Sequence, residues 1–277
     1  MNTEPKIPED DAITICRATT VADYHACQEC QRQAWSLSDD SYLVPIATMV
    51  GANLHGGLVL GAFLATGEAV AMSFAFLGRI DRRICLYSQL TGVKPRFQSK
   101  GLGHAIKLRQ REIAQTEGVE RIAWAFDPLQ AGNAHFNLGR LGATVGHYVD
   151  NMYGVRSDSL NAGVPTDRLI AEWDTAPRSQ PRDSATRVLG GLPRLIETEQ
   201  GTSPGIAGLA GDAPCVLLEI PSDILAFRRA GPALAEQWRA VVARAFTTAF
   251  AAGYRAVDFV RDDSPNGRRS FYVLERV

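Results

Sequence analysis

The chain has 277 residues, of which 45% are hydrophobic and 21% charged, with a formal net charge of −1. That length supports one large domain or two modest ones, each with a real core, and the balance excludes wholesale disorder. Near-neutral charge speaks against a polyanion-binding surface, so no nucleic-acid partner is expected. No apolar run reaches the roughly 18 residues of a membrane helix, so no membrane partner is expected either.

Met1 to Asp11 is acidic, contains proline and carries no apolar leader, so residues 1–12 read as a flexible tail and a cytoplasmic protein is expected. Five cysteines, an odd number, make no disulfide framework, which fits a reducing compartment. Cys27-Gln28-Glu29-Cys30 is formally a C-x-x-C beside His25, but no second pair exists to complete a zinc site, so no metal is expected. Two thiols on a partly buried helix are the simpler reading.

Ile13 to Arg17 alternates as a short strand, and Thr19 or Thr20 caps a helix running to about Trp35. A loop through Asp39 and Asp40 precedes a second helix, Pro45 to Leu54. Leu58 to Leu64 and Glu68 to Leu77 read as two strands joined by a hairpin turn at Ala65-Thr66-Gly67. Arg83 to Val93 is the next strand. A turn with two glycines leads from it into a helix ending near Thr116, with Gly118 as its C′ residue. Arg121 to Phe126 is a buried-type strand, Asn133 to Leu141 a short helix, and Ala143 to Tyr153 a long strand.

Beyond Gly154 the pattern changes. Residues 174–211 are rich in Pro, Gly, Ser and Thr and read as an irregular linker. Cys215 to Ile220 is a strand, and Ala233 to Ala252 is a periodic helix with Leu234, Trp238, Val241, Val242, Ala245, Phe246 and Ala249 on one face. Val257 to Val260 and Ser270 to Val277 close the chain as strands around Pro265-Asn266-Gly267.

The turn Gln98-Ser99-Lys100-Gly101-Leu102-Gly103 carries the chemistry. It brings backbone N–H groups together at a helix N-terminus, where partial positive charge favours a phosphate, and glycines let the anion approach the main chain. The spacing Gln98-x-x-Gly101-x-Gly103 resembles the acyl-CoA signature of the GNAT N-acetyltransferase superfamily. The order β-α-α-β-β-β-α-β-α-β over about Ile13 to Tyr153 is similar to that fold, and so is the run Asn133-Ala134-His135-Phe136-Asn137-Leu138-Gly139-Arg140-Leu141-Gly142-Ala143. The fold class expected is therefore mixed α/β, a GNAT-like acyl-CoA N-acyltransferase domain over residues 13–154. Residues 155–277 then form a C-terminal α/β extension, of a kind seen in one subgroup of predicted acetyltransferases of this family.

The resemblance implies a cofactor path. Two neighbouring parallel strands, Arg83 to Val93 and Arg121 to Phe126, would splay and admit the pantetheine arm, with Leu90, Thr91 and Val93 offering main-chain groups. Gln98, Ser99, Lys100, Gly101, Leu102 and Gly103 would cradle the pyrophosphate, and Asn133 and Phe136 would flank the lower arm. A turn that merely joins strand to helix is the alternative reading of the two glycines.

Family members often place a Tyr four residues before the Gly of the Leu-Gly pair as the acid that protonates the leaving thiolate. Here that position is Leu138, which has no proton to give. Replacement candidates come from the splay. Tyr87 is a candidate acid, or a Tyr packed on a sheet face. Asp127 is a candidate base, or a turn-former before Pro128. His147 is a candidate base by its ordinary pKa, unless alternation turns the neighbouring Tyr148 inward instead. The function expected is transfer of an acyl group, acetyl by default, from acetyl-CoA or another acyl-CoA to a small-molecule amine or amino-acid-like acceptor, and a homodimer is compatible with it. The alternative is a GNAT-like protein that binds acyl-CoA without transfer, or one of other acyl-CoA chemistry such as decarboxylation.

Overall fold

Thr20 opens the first helix, α1 (Val21–Ala34). Its hydroxyl accepts the Asp23 N–H while the Asp23 carboxylate accepts the Thr20 N–H, a reciprocal cap. The computed structural model describes residues 12–154, 165–176, 191–199, 203–208, 213–264 and 267–277. The chain falls into two compact units, Met1–Trp124 with Asp174–Ala176 and Ala125–Trp173 with Pro177–Val277. The division lies between Trp124 and Ala125, well before the boundary after Gly154 that composition suggests.

The first unit orders its strands β1 (Thr14–Arg17), β2 (Leu58–Phe63), β3 (Ala69–Ile80), β4 (Arg83–Val93) and β5 (Arg121–Phe126, to Trp124 in this unit). Neighbours are antiparallel except β4 and β5, which are parallel. The β2–β3 hairpin closes through Leu64 N–H to the Glu68 carbonyl, with Gly67 at φ 83. One sheet face carries α1 and α2 (Ile46–Leu54): Tyr24, Cys27, Cys30 and Met49 are buried against Val59, Met72 and Phe74. Side chains alternate along a strand, so Ser73 faces the other way, toward α3 (Leu102–Thr116). Asp39 caps a short turn at Ser41, and Asp40 is paired with Arg32, so both aspartates of that loop have local structural work.

The second unit holds α4 (Ala131–Ala134), which runs on as a π-helical turn His135–Arg140, and β6 (Thr144–Val149). β6 is shorter than expected: the chain turns at Asp150–Tyr153, with Asn151 at φ 40. After it come β7 (Arg168–Asp174), β8 (Ile196–Glu199), β9 (Ser203–Ile206), β10 (Cys215–Ile220), α5 (Ile224–Ala230), α6 (Pro232–Ala251), β11 (Tyr254–Ser264) and β12 (Gly267–Arg276). The strand order is β7-β6-β11-β12-β10, antiparallel throughout, with β8 and β9 as a separate hairpin. Phe246 of α6 packs with Phe259 and Tyr272 as a fully buried aromatic centre, Tyr272 edge-on to both phenylalanines, and Trp238 of the same helix is buried as well.

Two sequence expectations change here. The sequence pattern predicts neither β7, which lacks alternation, nor α5, a helix of 7 residues too short to show a clear period. The stretch 174–211 is not wholly irregular: within its described residues β8 and β9 pair, Leu195 and Ile196 are buried, and Leu195 N–H bonds the Leu217 carbonyl. Pro/Gly-rich composition marks turns but does not prevent a short hairpin from burying two aliphatic side chains. Residues 1–11, most of the expected tail, and Pro265-Asn266 of the closing turn lie outside the described residues.

Candidate functional site

β4 and β5 are held together at two positions only, Leu86 opposite Ile122 and Tyr87 opposite Ala123. Beyond Tyr87 β4 stays paired with β3, down to Val93 opposite Ala71, while no further pair with β5 forms. An interior strand thus turns one edge over to an open stretch at Ser88–Val93, and its main-chain groups there are available to an added extended segment. Just past the split the β3–β4 register shifts: Ala75 faces Ser88 and Phe74 faces Leu90, so Gln89 is bulged and exposed.

The turn after β4 is built by local bonds. Lys94, 4% exposed, extends Nζ to Glu68 at 2.8 Å, and this bond holds the Glu68 carboxyl below its ordinary range. Gln98 Nε2 donates to the Val93 carbonyl at 3.1 Å, tying the turn back to the strand end. Ser99 and Gly101 sit at φ 61 and 81, and α3 then starts with no side-chain cap. The leading N–H groups of a helix have no intrahelical acceptor, so this uncapped end suits an anion. Gly101 is required by its left-handed backbone. Gly103 is not left-handed, and a Cβ there would meet only Val93 Cγ2 at 3.8 Å. Protein packing gives no reason for glycine at 103. Lys100 places its ammonium over the Phe97 ring at 5.4 Å, at the rim of the turn. These residues fit the pyrophosphate of an acyl-CoA.

Beneath β4 lies a polar group that the sequence reading missed. Lys107 and Gln110 of α3 are both buried, with bonds to Ser88 and Ser73. The signal was present: 107, 110 and 114 lie on one helix face, and Ala114 is core. Tyr87 is half-buried, its ring 5.4 Å from that of Phe76.

The remaining predicted residues belong to the second unit. Asn133 is exposed and Phe136 half-buried on α4 and the π-helical turn, and Leu138 is buried there at 2% exposure. Asp127 accepts the Leu129 N–H at 2.9 Å and is salt-bridged to Arg239 at 3.2 Å, with Asp167 on the same guanidinium at 3.6 Å. A carboxylate so committed is an ion-pair partner first. β6 bulges between Val145 and His147, so that Tyr148 turns inward. Its hydroxyl donates to Asp167 at 2.7 Å, and burial, reinforced by that bond, raises its pKa. His147 is 40% exposed, with Nε2 3.9 Å from the buried Glu172, which also receives Arg255 at 2.6 Å. Among the described residues no cluster of His, Cys, Asp or Glu is placed to hold a metal, and no helix is long and apolar enough to cross a membrane.

The element order from β1 to β6, with a split parallel pair and a glycine turn opening the helix between its strands, is that of the GNAT acyl-CoA N-acyltransferase fold. No protein-family model matches the chain, and no curated protein does. Solved structures similar to it include a GNAT-family protein from Desulfovibrio desulfuricans, 14% identical over 60% of this chain and 100% of that one, with a TM-score of 0.45. Another is yncA from Salmonella typhimurium, solved with its cofactor acetyl-CoA, 21% identical over 62% of this chain and 99% of that one, TM-score 0.48. A third is the ribosomal-protein-S18-alanine N-acetyltransferase from Escherichia coli, 16% identical over 61% and 97%, TM-score 0.45.

Proposed function

We propose that the protein is an acyl-CoA-dependent N-acyltransferase, with acetyl as the default acyl group and a small amine or amino-acid-like molecule as acceptor. The observation that carries this reading is the uncapped α3 N-terminus at Gly101–Gly103, continuous with the open edge of β4 at Ser88–Val93. Together they offer an anion site and, next to it, unpaired strand backbone, which is what a pyrophosphate joined to an amide-containing arm requires. In this reading Gln98, Ser99, Lys100, Gly101, Leu102 and Gly103 hold the pyrophosphate and Leu90, Thr91 and Val93 orient the arm. Asn133 and Phe136 contribute from α4 and the turn after it. Acyl-CoA supplies the thioester; the chain's residues bind it, exclude water and hold the acceptor.

Tyr87 remains the proposed acid. Asp127 and His147 remain proposed bases, with the ion pair to Arg239 counting against Asp127. A second reading, acyl-CoA binding without transfer, is favoured by Leu138, a buried aliphatic side chain where family members often have a Tyr. Calorimetry with acetyl-CoA and CoA tests the binding, and thiol release with a panel of amine acceptors separates the two readings. Binding with no thiol release for any amine favours the second; no binding at all removes both.

A further inference from the structure

Two polar anchors from α3 bracket the bulge in β4. On one side Lys107 Nζ donates to Ser88 Oγ at 2.9 Å and to Gln110 Oε1 at 3.3 Å, and sits 4.0 Å from the centre of the Trp124 ring. On the other, Gln110 Nε2 donates to Ser73 Oγ at 3.2 Å. Ser73 in turn accepts Thr91 Oγ1–H at 3.1 Å and donates to the Leu90 carbonyl at 3.2 Å. Simple alternation would set Ser88 and Leu90 on one face. The extra residue, Gln89, instead turns Leu90 to the α1–α2 cluster and leaves Ser88 and Thr91 both facing α3. The bulge and the two anchors therefore depend on each other, and the bulge lies where β4 leaves β5.

We infer that Lys107 is a positioning residue which, through Ser88, fixes the bulge at Gln89 and with it the open edge of β4. This inference rests on the acyl-CoA reading above, and it assigns Lys107 to the acyl end of that ligand, away from the pyrophosphate turn. An aliphatic side chain would fill the same space without the cost of desolvating an amine. Only a long donor reaches Ser88 from α3. Burial pushes the Lys107 amine down to about 7, so it changes charge near neutral pH. The charged amine can only donate; the neutral one can also accept the Ser88 proton. Around Nζ, β4 presents Ser88, α3 Gln110 and β5 Trp124, and β3 is reached through Ser73; none of these ionises. On α3 the ionisable residues one turn away on the same face are His104 and Arg111, with Arg109 pointing elsewhere by helical spacing. In β4, Tyr87 precedes Ser88.

The test is calorimetry of the full chain with two probes, acetyl-CoA and adenosine 3′-phosphate 5′-diphosphate, on the wild type, Lys107→Met and Ser88→Ala. Both variants are expected to weaken acetyl-CoA by about tenfold while leaving the nucleotide within about twofold. Lys107→Met is expected to melt no lower than the wild type, which a merely structural lysine would not allow. Acetyl-CoA affinity is expected to change between about pH 6 and about pH 8 by a different factor in the wild type than in Lys107→Met. In the variant the ligand's own phosphate still titrates but the buried amine is gone. Equal loss of both probes, no loss of either, or the same pH profile in wild type and Lys107→Met would overturn the inference. Should Lys107→Met fail to fold, Ser88→Ala decides alone. A wild type that binds neither probe overturns the acyl-CoA reading itself, an outcome distinct from all of these.

Discussion

The Arg239 guanidinium reaches Asp127 at 3.2 Å from 112 residues away, with the two side chains only 11% and 18% exposed. The same guanidinium lies 3.6 Å from Asp167, which also takes the Tyr148 hydroxyl and the Asn151 N–H. Asp127 is therefore part of a network that ties α6 to the end of β5 and the segment before β7. Removing Arg239 leaves two carboxylates in a mostly dry site, and Arg239→Ala is expected to cost on the order of 3 kcal/mol. Asp127→Asn keeps the Leu129 N–H bond and is expected to cost less. Urea denaturation of both variants measures the order. Full turnover by Asp127→Asn with a working acceptor would remove Asp127 from the proposed bases.

Gly103 and Gly101 are expected to respond in opposite ways to alanine. At 103 the backbone is helical and a Cβ meets nothing closer than 3.8 Å, so Gly103→Ala is expected to stabilise by about 0.5–1 kcal/mol while weakening CoA. At 101 the φ of 81 makes alanine cost about 1–2 kcal/mol. Melting temperatures paired with CoA titrations check both. A Gly103→Ala protein with unchanged CoA affinity would show that the anion does not approach this helix turn.

Lys107 makes stability depend on pH in a definite sense. Its folded pKa is depressed to about 7 by burial, below that of an exposed lysine, so the unfolded chain binds more protons between the two values. The lysine costs most stability below about 7, and the cost is relieved as pH rises toward the unfolded value. Lys107→Met is accordingly expected to exceed the wild type in stability by most near pH 6 and by progressively less toward pH 10. Parallel stability curves across that range would show that the amine is not desolvated.

The thiols of α1 are expected to be inert in the native protein. Cys27 and Cys30 are both 0% exposed, and burial raises both pKa values, that of Cys30 to about 12. Cys16 is exposed. Native labelling with a thiol reagent followed by peptide mapping is expected to mark Cys16 well before either, and unfolding to release both. Early labelling of Cys27 or Cys30 would mean that α1 opens readily from the sheet.

Much of the first unit was legible because its signals are local. Arg83–Val93 and Arg121–Phe126 were placed with their observed bounds. α3 was placed to within one residue, since Gly101 sets its start and Gly118 follows its end. The cap at Thr20 and the turn at Gly67 were read from residue types whose preferences act over three or four positions. Within the candidate site, local pattern is enough to place the glycine turn and the strand that feeds it.

Where β4 parts from β5, where Gln89 bulges and which polar groups lie beneath all depend on contacts between segments distant in the chain. The bulge is a register shift against β3, and neither strand carries a residue that demands it. β7 is buried on both faces, so it lacks the alternation that marks a strand open to water on one side. Asp127 read as a candidate base because Arg239, its partner, stands 112 residues further along the chain. Lys107 read as an ordinary helix lysine because Ser88 and Trp124 meet it only when α3 packs on the sheet. Periodicity and capping report what a residue does to its near neighbours; charge pairing, burial and bulges are set by partners that only folding brings within reach.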